Sequence, residues 1–231
     1  MAQMPPILHV GDLTEHVFED LREASHTYSH KYDYTSAFDK LRTIPERRDY
    51  LAAILAGQAD GEEAVRRLRE WLLAPWRSAR TLSADRLPQI GRGLLAAVTE
   101  LRDISRDTEL AGATSSTVEA MIGAFTRLDD CPGVGGTIAS KMLSALRPDL
   151  FMIWDRPIAQ AYGFDPGVAG YRRFLQLMTP ATRRMRELWG TRTPSLEAHL
   201  KPKDREWLPP LTKFVDEWHW IRITRKHPST A

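Results

Sequence analysis

Apolar residues recur at spacings of three and four along most of this chain, which is the repeat of an amphipathic helix. In the clearest stretch, Val118, Met121, Ile122 and Phe125 fall on one helical face. No segment alternates apolar and polar residues for long enough to predict a β-sheet. We therefore expect an all-α protein, and this periodicity argues against any fold built on a central sheet.

Capping and breaking residues divide this periodicity into separate helices. Asp12 precedes an apolar-periodic run and is expected to cap a helix, another helix is expected to begin at Asp60 with acids in its first turn, and Pro45 is expected to break the run around it. Ser115 or Ser116 is expected to begin another helix. The remaining expectations are helices over 171–189 and 204–218, and loops over 75–91, 104–115 and 190–196.

Length and composition fit one globular unit. The chain has 231 residues, of which 42% are hydrophobic and 27% are charged, and these fractions are close to the averages for folded soluble domains. No apolar run approaches the roughly 18 residues that span a bilayer. The first ten residues lack the basic start and apolar stretch of a signal peptide. We therefore expect a cytoplasmic protein without membrane contact, and we exclude disordered and fibrous classes.

The single cysteine, Cys131, limits the cofactors that the chain can hold. It excludes an internal disulfide, an all-cysteine zinc site and a four-cysteine iron–sulfur cluster bound by this chain alone. His26 and His30 have the i, i+4 spacing of metal ligands, but no HExxH pattern or third ligand accompanies them. We expect no metal site and no other cofactor.

Charge is distributed unevenly along the chain. Residues 1–130 contain 16 basic and 21 acidic side chains, whereas residues 131–231 contain 16 basic and 9 acidic ones. The C-terminal part is therefore basic within a chain of net charge +2. One interpretation is a face that attracts a polyanion such as nucleic acid. The alternative is an ordinary set of solvated helix faces.

The most informative segment is the tetrapeptide PGVG at residues 132–135, which separates two amphipathic runs. Its glycines permit positive φ angles or a close backbone approach, and Val134 can plug the space between the two helices. The second run, from Ile138 to Leu146, is expected to form a helix whose first N–H groups have no intrahelical partner. Such a helix start is suited to binding phosphate. The segment therefore predicts a helix, a tight hairpin and a second helix.

This segment resembles the helix-hairpin-helix motif, and the residues after it resemble one superfamily that uses the motif. In the helix-hairpin-helix DNA glycosylases, a Pro-Gly-Val-Gly-type hairpin is followed by a helix, a loop and a catalytic aspartate. Here Asp155 lies 23 positions after Pro132, which is similar to the spacing in endonuclease III-type members. Ala139 and Leu143 also match small and apolar helix positions of those members. The resemblance covers about residues 115–163.

The resemblance implies two helical subdomains with a central helix-hairpin-helix and a cleft between the subdomains. It divides one glycosylase-like unit, 1–231, into an N-terminal helical part (1–103), the hairpin and catalytic-aspartate segment (115–163) and a basic C-terminal helical part (164–231). It also implies that the hairpin region contacts the backbone of double-stranded DNA. The residues expected to make these contacts are Pro132, Gly133, Val134, Gly135, Gly136, Thr137 and Lys141.

The resemblance assigns catalysis to Asp155, and the local chemistry suits that role. A carboxylate stabilises the oxocarbenium-like transition state of glycosidic cleavage and can orient or activate water. The apolar residues 151–154 precede Asp155, so its charge is expected to act with little solvent screening. A structural role is the alternative, since Asp155 can cap a helix that begins at Arg156 with Pro157 in its first turn. The two roles are compatible because a cap holds the carboxylate still.

A lysine near the hairpin is the second catalytic candidate. Bifunctional relatives carry a nucleophilic lysine five positions after the hairpin proline, where this chain has Thr137. This departure implies hydrolysis without strand cleavage. Lys141 lies one turn further along the helix, about 40° around it. It is either a repositioned nucleophile, a contact to phosphate or cleft charge, or a solvated residue, and we favour phosphate or cleft charge over Schiff-base chemistry.

Three aromatic residues are candidates for a base pocket. Extruded bases are held by aromatic stacking and by hydrogen bonds to their edges. Tyr28 and Tyr32 belong to a tyrosine-rich stretch, and Trp154 directly precedes Asp155. Core packing is the alternative for each of these side chains.

The sequence thus predicts a monofunctional DNA glycosylase that excises a modified or mispaired base. We expect a nucleoid-associated monomer that acts in base-excision repair or in defence against phage with modified DNA. The alternative is a non-catalytic helix-hairpin-helix protein that binds DNA. The sequence does not identify the base, so alkylated purine, mispaired adenine, deaminated pyrimidine and bulky modified cytosine all stay open.

Overall fold

The described chain is built from helices. The computed structural model describes residues 7–31 and 34–225, and no β-strand occurs in these ranges. The prediction of an all-α protein is therefore confirmed. No helix in the same ranges has the length and apolar character needed to cross a bilayer. The helices are α1 (His16–Lys31), α2 (Tyr34–Thr43), α3 (Pro45–Leu55), α4 (Gly61–Leu68), α5 (Leu87–Glu100), α6 (Ser115–Asp129), α7 (Gly136–Leu146), α8 (Arg156–Ala161), α9 (Val168–Trp189), α10 (Leu196–Leu200) and α11 (Leu211–His219).

Several helix boundaries follow from local chemistry, as expected. The Asp60 side chain caps α4 by accepting a hydrogen bond from the Glu63 N–H at 2.9 Å. Pro45 ends the preceding helical run and occupies the first turn of α3, where its missing N–H costs nothing. α6 begins at Ser115, and the Thr114 side chain caps it.

Three expected boundaries were wrong. Asp12 does not cap α1, because it lies in a 3₁₀ turn (Val10–Asp12) and the helix begins only at His16. The expected loop over 75–91 is too long, since α5 begins at Leu87 with proline in its first turn. The helix expected over 204–218 begins at Leu211, because the preceding prolines have no N–H group and favour extended backbone.

Close helix packing joins the N-terminal part of the chain to the hairpin helices. α4 packs on α5, and α5 packs on α6. A Cβ added to Gly61 would lie 2.6 Å from the carbonyl oxygen of Gly91. The absence of side chains at this crossing therefore lets the α4 and α5 backbones touch. α1 packs against α11, which brings the two ends of the described chain together.

A continuous apolar core runs from Leu8 to Ile223. The Leu8 N–H donates to the Tyr162 hydroxyl at 3.1 Å, and this hydroxyl also bonds His219 Nε2 at 2.7 Å. These bonds tie the segment before α1 to the residues after α8 and to α11. The division of the chain at 103, 115 and 163 stays a prediction.

Two arginines hold the end of α7. Arg42 of α2 donates to the carbonyl oxygen of Ala145 in the last turn of α7. Arg147 follows α7 and donates to the carbonyl oxygens of Ser105 and Thr108, at 3.1 Å each. Carbonyls in the last turn of a helix lack intrahelical partners, so the Arg42 contact stabilises this end. The C-terminal end of α7 is thereby bound to α2 through Arg42 and to the loop between α5 and α6 through Arg147.

Candidate functional site

The segment between α6 and α7 is a tight turn held by its neighbours. Gly133 has a φ of +86°, and its carbonyl oxygen accepts a hydrogen bond from Thr81 Oγ1 at 2.7 Å. A Cβ at this position would lie 2.5 Å from the carbonyl oxygen of Thr81. Glycine is therefore required at 133 by both backbone angle and space. Val134, the next residue, is buried, whereas Gly135 is exposed.

The residues between α7 and α8 form a buried segment that leads to Asp155. The Trp154 N–H donates to Ser140 Oγ at 2.9 Å, which binds this segment to α7. The Tyr171 hydroxyl donates to the carbonyl oxygen of Met152 at 3.0 Å, which binds it to α9. These contacts restrict the backbone immediately before Asp155.

Asp155 is fixed through both carboxylate oxygens. Oδ1 accepts a hydrogen bond from the Ile158 N–H at 2.9 Å, so Asp155 caps α8. Oδ2 accepts from the Thr224 hydroxyl at 3.2 Å. Burial raises the pKa of the Asp155 carboxyl above its usual range, although the Ile158 N–H and nearby Lys141 lower it. A carboxyl with a raised pKa is better matched to proton transfer near neutral pH than an ordinary surface carboxyl.

Asp155 lines a partly enclosed cavity of about 120 Å³. We call it the aromatic cavity, because tyrosine and tryptophan side chains form much of its lining. Two carboxylates and one lysine are the charged groups around it. The lining residues are Tyr28, Trp76, Lys141, Ile153, Asp155, Ile158, Asp216 and Trp220.

Lys141 reaches this cavity from α7. Its Nζ donates to Ser78 Oγ at 2.6 Å and lies 5.1 Å from the centre of the Trp76 ring. Burial lowers the pKa of Lys141 to about 8, although the carboxylates of Asp155 and Asp216 raise it. Its ammonium group therefore loses a proton much nearer to neutral pH than an exposed lysine does. Lys141 can act as a cation beside Asp155 or, when neutral, as an amine.

A second carboxylate enters the cavity from α11. Asp216 Oδ2 accepts a hydrogen bond from Lys213 Nζ at 2.8 Å. Lys213 Nζ also lies 3.7 Å from Glu217 Oε1, and Arg205 Nη1 bonds that oxygen at 2.9 Å. Burial alone would lower the pKa of Lys213, but Asp216 and Glu217 raise it well above its ordinary value. Lys213 therefore stays positively charged at neutral pH, although it is buried together with its partners.

The tight turn borders a second depression, which we call the hairpin groove. It has a volume of about 470 Å³ and is more open than the aromatic cavity. Asp155 lines both. The groove is lined by Thr81, Gly133, Val134, Gly135, Gly136, Thr137, Ile138, Trp154, Asp155, Arg156 and Pro166.

The structure brings together some of the residues expected from the sequence and separates others. The residues from 133 to 137 line the hairpin groove, whereas Pro132 is exposed beside it and Lys141 lines the aromatic cavity instead. Tyr28 lines the cavity, and Tyr32 lies outside the described residues. Trp154 is 1% exposed and its Nε1 donates to the Pro166 carbonyl oxygen at 2.7 Å. Its ring therefore packs in the core and does not face the cavity.

Sequence reasoning did not single out three of the aromatic and charged cavity residues, Trp76, Trp220 and Asp216. Trp76 follows a proline at the end of a helical run, where the sequence does not indicate which way its side chain points. Trp220 stands in a basic C-terminal stretch and lines the cavity rather than the surface. Asp216 had a usable signal. It lies three residues after Lys213 in the apolar helix α11, and charges at that spacing in an apolar stretch indicate a buried pair.

Comparison with known proteins gives a family without an assigned activity. No curated protein and no solved structure shows a significant match to the chain. A model of a family of unknown function, DUF6308, matches residues 72–205. This region includes the tight turn, Lys141 and Asp155, whereas Asp216 and Trp220 lie beyond it. The matched region is more than half of this chain, so the chain belongs to the DUF6308 family.

Proposed function

We propose that the protein is a DNA glycosylase that binds double-stranded DNA along the hairpin groove and hydrolyses the N-glycosidic bond of one extruded nucleotide. The observation that carries this proposal is that Asp155 lines both the hairpin groove and the aromatic cavity. A nucleotide extruded from DNA on the hairpin would bring its sugar to this carboxylate as its base entered the cavity.

The backbone of the hairpin groove is suited to phosphate. α7 begins at Gly136 without a side-chain cap, and N–H groups at a helix start attract anions. Apart from its chain neighbours, no atom lies within 4 Å of a Cβ built on Gly135, so a phosphate oxygen can approach the backbone there. Arg156 is exposed at the same groove and adds positive charge. These features support backbone binding, which carries no preference for base sequence.

The aromatic cavity is suited to the extruded base. Its tyrosine and tryptophan rings offer stacking surfaces, and its charged groups offer hydrogen-bond partners for a base edge. Tyr28 comes from α1 and Asp216 from α11, whereas Lys141 comes from α7 and Asp155 directly precedes α8. We assign the cavity to the cleft of a two-subdomain helix-hairpin-helix arrangement, with the terminal helices on one side and the central helices on the other.

The proposed reaction is a hydrolysis assisted by Asp155. The bond between C1′ and the base nitrogen breaks, and its electron pair leaves with the base. A water oxygen forms the new bond to C1′, while one water proton passes to the Asp155 carboxylate and then to the departing base. The ionised carboxylate also stabilises the positive charge that develops on the sugar. The products are the free base and an abasic site.

Lys141 is proposed to act as a cation rather than as a nucleophile. Its contacts with Ser78 and Trp76 hold it within the cavity, where its charge lowers the pKa of Asp155 and favours the ionised carboxylate. Borohydride reduction during turnover tests this assignment. We expect no covalent protein–DNA complex, and a trapped complex lost in Lys141→Ala would assign it as the nucleophile.

Single-turnover assays on duplexes that each carry one modified or mispaired base test the main proposal. Alkali converts abasic sites into strand breaks, so excision appears as a shortened strand. We expect excision of at least one base, and a loss of at least about a hundredfold in Asp155→Asn, in line with the usual contribution of a general base. Asp149→Asn is the matched control, because Asp149 is likewise a half-buried carboxylate held by hydrogen bonds, in its case from Arg147, but it does not line the cavity.

The same assay separates the proposal from a non-catalytic role. Fluorescence anisotropy measures duplex binding in parallel with excision. Binding without abasic sites across the panel, with Asp155→Asn indistinguishable from wild type, would favour a DNA-binding protein without enzymatic activity.

A further inference from the structure

The cavity contains a carboxylate that the proposed reaction does not use. Asp216 is 7% exposed and lines the aromatic cavity together with Asp155. Within the described residues, Lys213 is its hydrogen-bond donor, through Oδ2 at 2.8 Å. No described residue donates a hydrogen bond to its other oxygen, Oδ1, and Oδ1 is not among the fully buried polar atoms that lack a partner, so it is accessible from the cavity. Asp216 therefore offers a vacant acceptor to a molecule in the cavity.

The position of this carboxylate is fixed by the buried ion network. Lys213 Nζ lies near both Asp216 and Glu217, and Arg205 joins Glu217 to Asp39. Arg205 Nη2 bonds Asp39 Oδ1 at 2.7 Å, and its Nε bonds Oδ2 at 2.9 Å. A carboxylate held in this way is preorganised, so little ordering is needed when it accepts a hydrogen bond.

The cavity is small. Its volume of about 120 Å³ is below that of an engineered protein cavity of about 150 Å³ that binds benzene. The two volumes are similar, so the cavity is closer in size to one six-membered ring than to two fused rings. Trp76 and Trp220 lie among its lining residues.

We propose that Asp216 selects a pyrimidine by accepting a hydrogen bond from a ring N–H or exocyclic amino group of the extruded base. The inference rests on the proposed glycosylase function and names its substrate class, a modified pyrimidine. The cavity size favours a pyrimidine over a purine, which has two fused rings, and the acceptor oxygen favours bases that present an N–H to it. A site built around a hydrogen bond rejects an analogue that lacks it, because the buried acceptor is then left unpaired.

A matched panel of duplexes tests the substrate class. The pyrimidines are uracil, 5-hydroxyuracil and 5-hydroxymethylcytosine, and the purines are hypoxanthine and 7-methylguanine, each at the same position of the same duplex. We expect excision of at least one pyrimidine and no purine. Excision of a purine would overturn the substrate class while keeping the glycosylase function. If duplexes with other modified bases were also left intact, the proposed function itself would fail.

The acceptor role is tested with the excised pyrimidine and with its analogue in which that N–H is methylated. Wild type is expected to process the methylated analogue at least about tenfold more slowly, the usual effect of losing a hydrogen bond to a charged group. Equal rates on the two bases would overturn the acceptor role.

Two variants separate recognition from a structural contribution. Asp216→Asn keeps the size of the side chain but removes its charge, and we expect at least about a tenfold loss on the normal base. The double variant Lys213→Met with Asp216→Leu removes both charges and avoids an unpaired buried lysine. In the folded double variant, rates on the normal and methylated bases should agree within about twofold. Persistence of the wild-type preference in that variant would refute the role of Asp216.

Discussion

Replacing Gly133 by alanine is expected to destabilise the protein, whereas the same replacement at Gly135 is expected to leave stability unchanged and to weaken DNA binding. The two glycines are two positions apart in the same turn. Gly133 has a φ of +86° and its Cβ position lies 2.5 Å from the Thr81 carbonyl oxygen. Gly135 has a φ of −100° and open space around its Cβ position.

The magnitude for Gly133→Ala has two parts. The left-handed backbone angle costs an alanine about 1–2 kcal/mol. The contact with Thr81 then forces a shift of backbone rather than of a flexible side chain, and overpacking of this kind costs about 1–3 kcal/mol. The expected loss is therefore about 2–5 kcal/mol. Gly135→Ala meets neither cost and is expected to stay within about 0.5 kcal/mol of wild type.

Thermal unfolding followed by circular dichroism measures both variants against wild type. A loss of 2 kcal/mol lowers the melting temperature of a chain of this size by about 4–8 °C. Equal unfolding midpoints for wild type and Gly133→Ala would refute the assigned turn geometry.

DNA binding provides the second half of this comparison. In Gly135→Ala the new methyl group occupies the place where a phosphate would approach the backbone of the hairpin groove. We expect its affinity for duplex DNA to fall about fivefold or more, which corresponds to about one lost hydrogen bond. Unchanged binding in this stable variant would argue against phosphate contact at the hairpin.

Three further predictions concern titrating groups. Burial lowers the pKa of His219 to about 3, so below about pH 6.5 the unfolded chain binds a proton at this histidine and the folded protein does not. The free energy of unfolding, measured in urea, should therefore fall by up to about 1.4 kcal/mol per pH unit as the pH drops below about 6.5. The slope should be smaller in His219→Gln. The Thr224 hydrogen bond lowers the pKa of Asp155, so Thr224→Val should move the acidic limb of the excision pH profile to higher pH, and an unmoved limb would dissociate Thr224 from catalysis. If the cation form of Lys141 is required, excision should decline above about pH 8, whereas a rise through that pH would indicate a neutral amine.

Much of the local structure follows from the sequence because it depends on neighbouring residues. The caps of α4 and α8 at Asp60 and Asp155 and the break at Pro45 arise within a few residues of each position. The expected helix start at Asp12 failed because the adjacent Leu13 is extended. A capping residue therefore marks a place where a helix can start, and packing against the rest of the protein decides whether the helix starts there.

The position of Lys141 shows where local reasoning ends. The helical repeat puts it about one turn beyond Thr137. From this spacing alone, the Lys141 side chain could lie in a groove, in a cleft or at a solvated surface. The contacts with Ser78 and Trp76, both far away in sequence, decide among these. Trp154 gives the opposite case, because its neighbour Asp155 lines the cavity while its own ring packs in the core.

The sequence by itself determined an all-helical chain, most of its helices and a carboxylate that caps α8, because periodicity, caps and breakers act over one or two turns. Only the tertiary structure decided which groups meet around that carboxylate. The aromatic cavity combines side chains from residues 28 to 220, including Asp216 and Trp76. Such contacts depend on how α1, α7 and α11 pack, and the periodicity of one helix identifies its apolar face without identifying the helix that covers it.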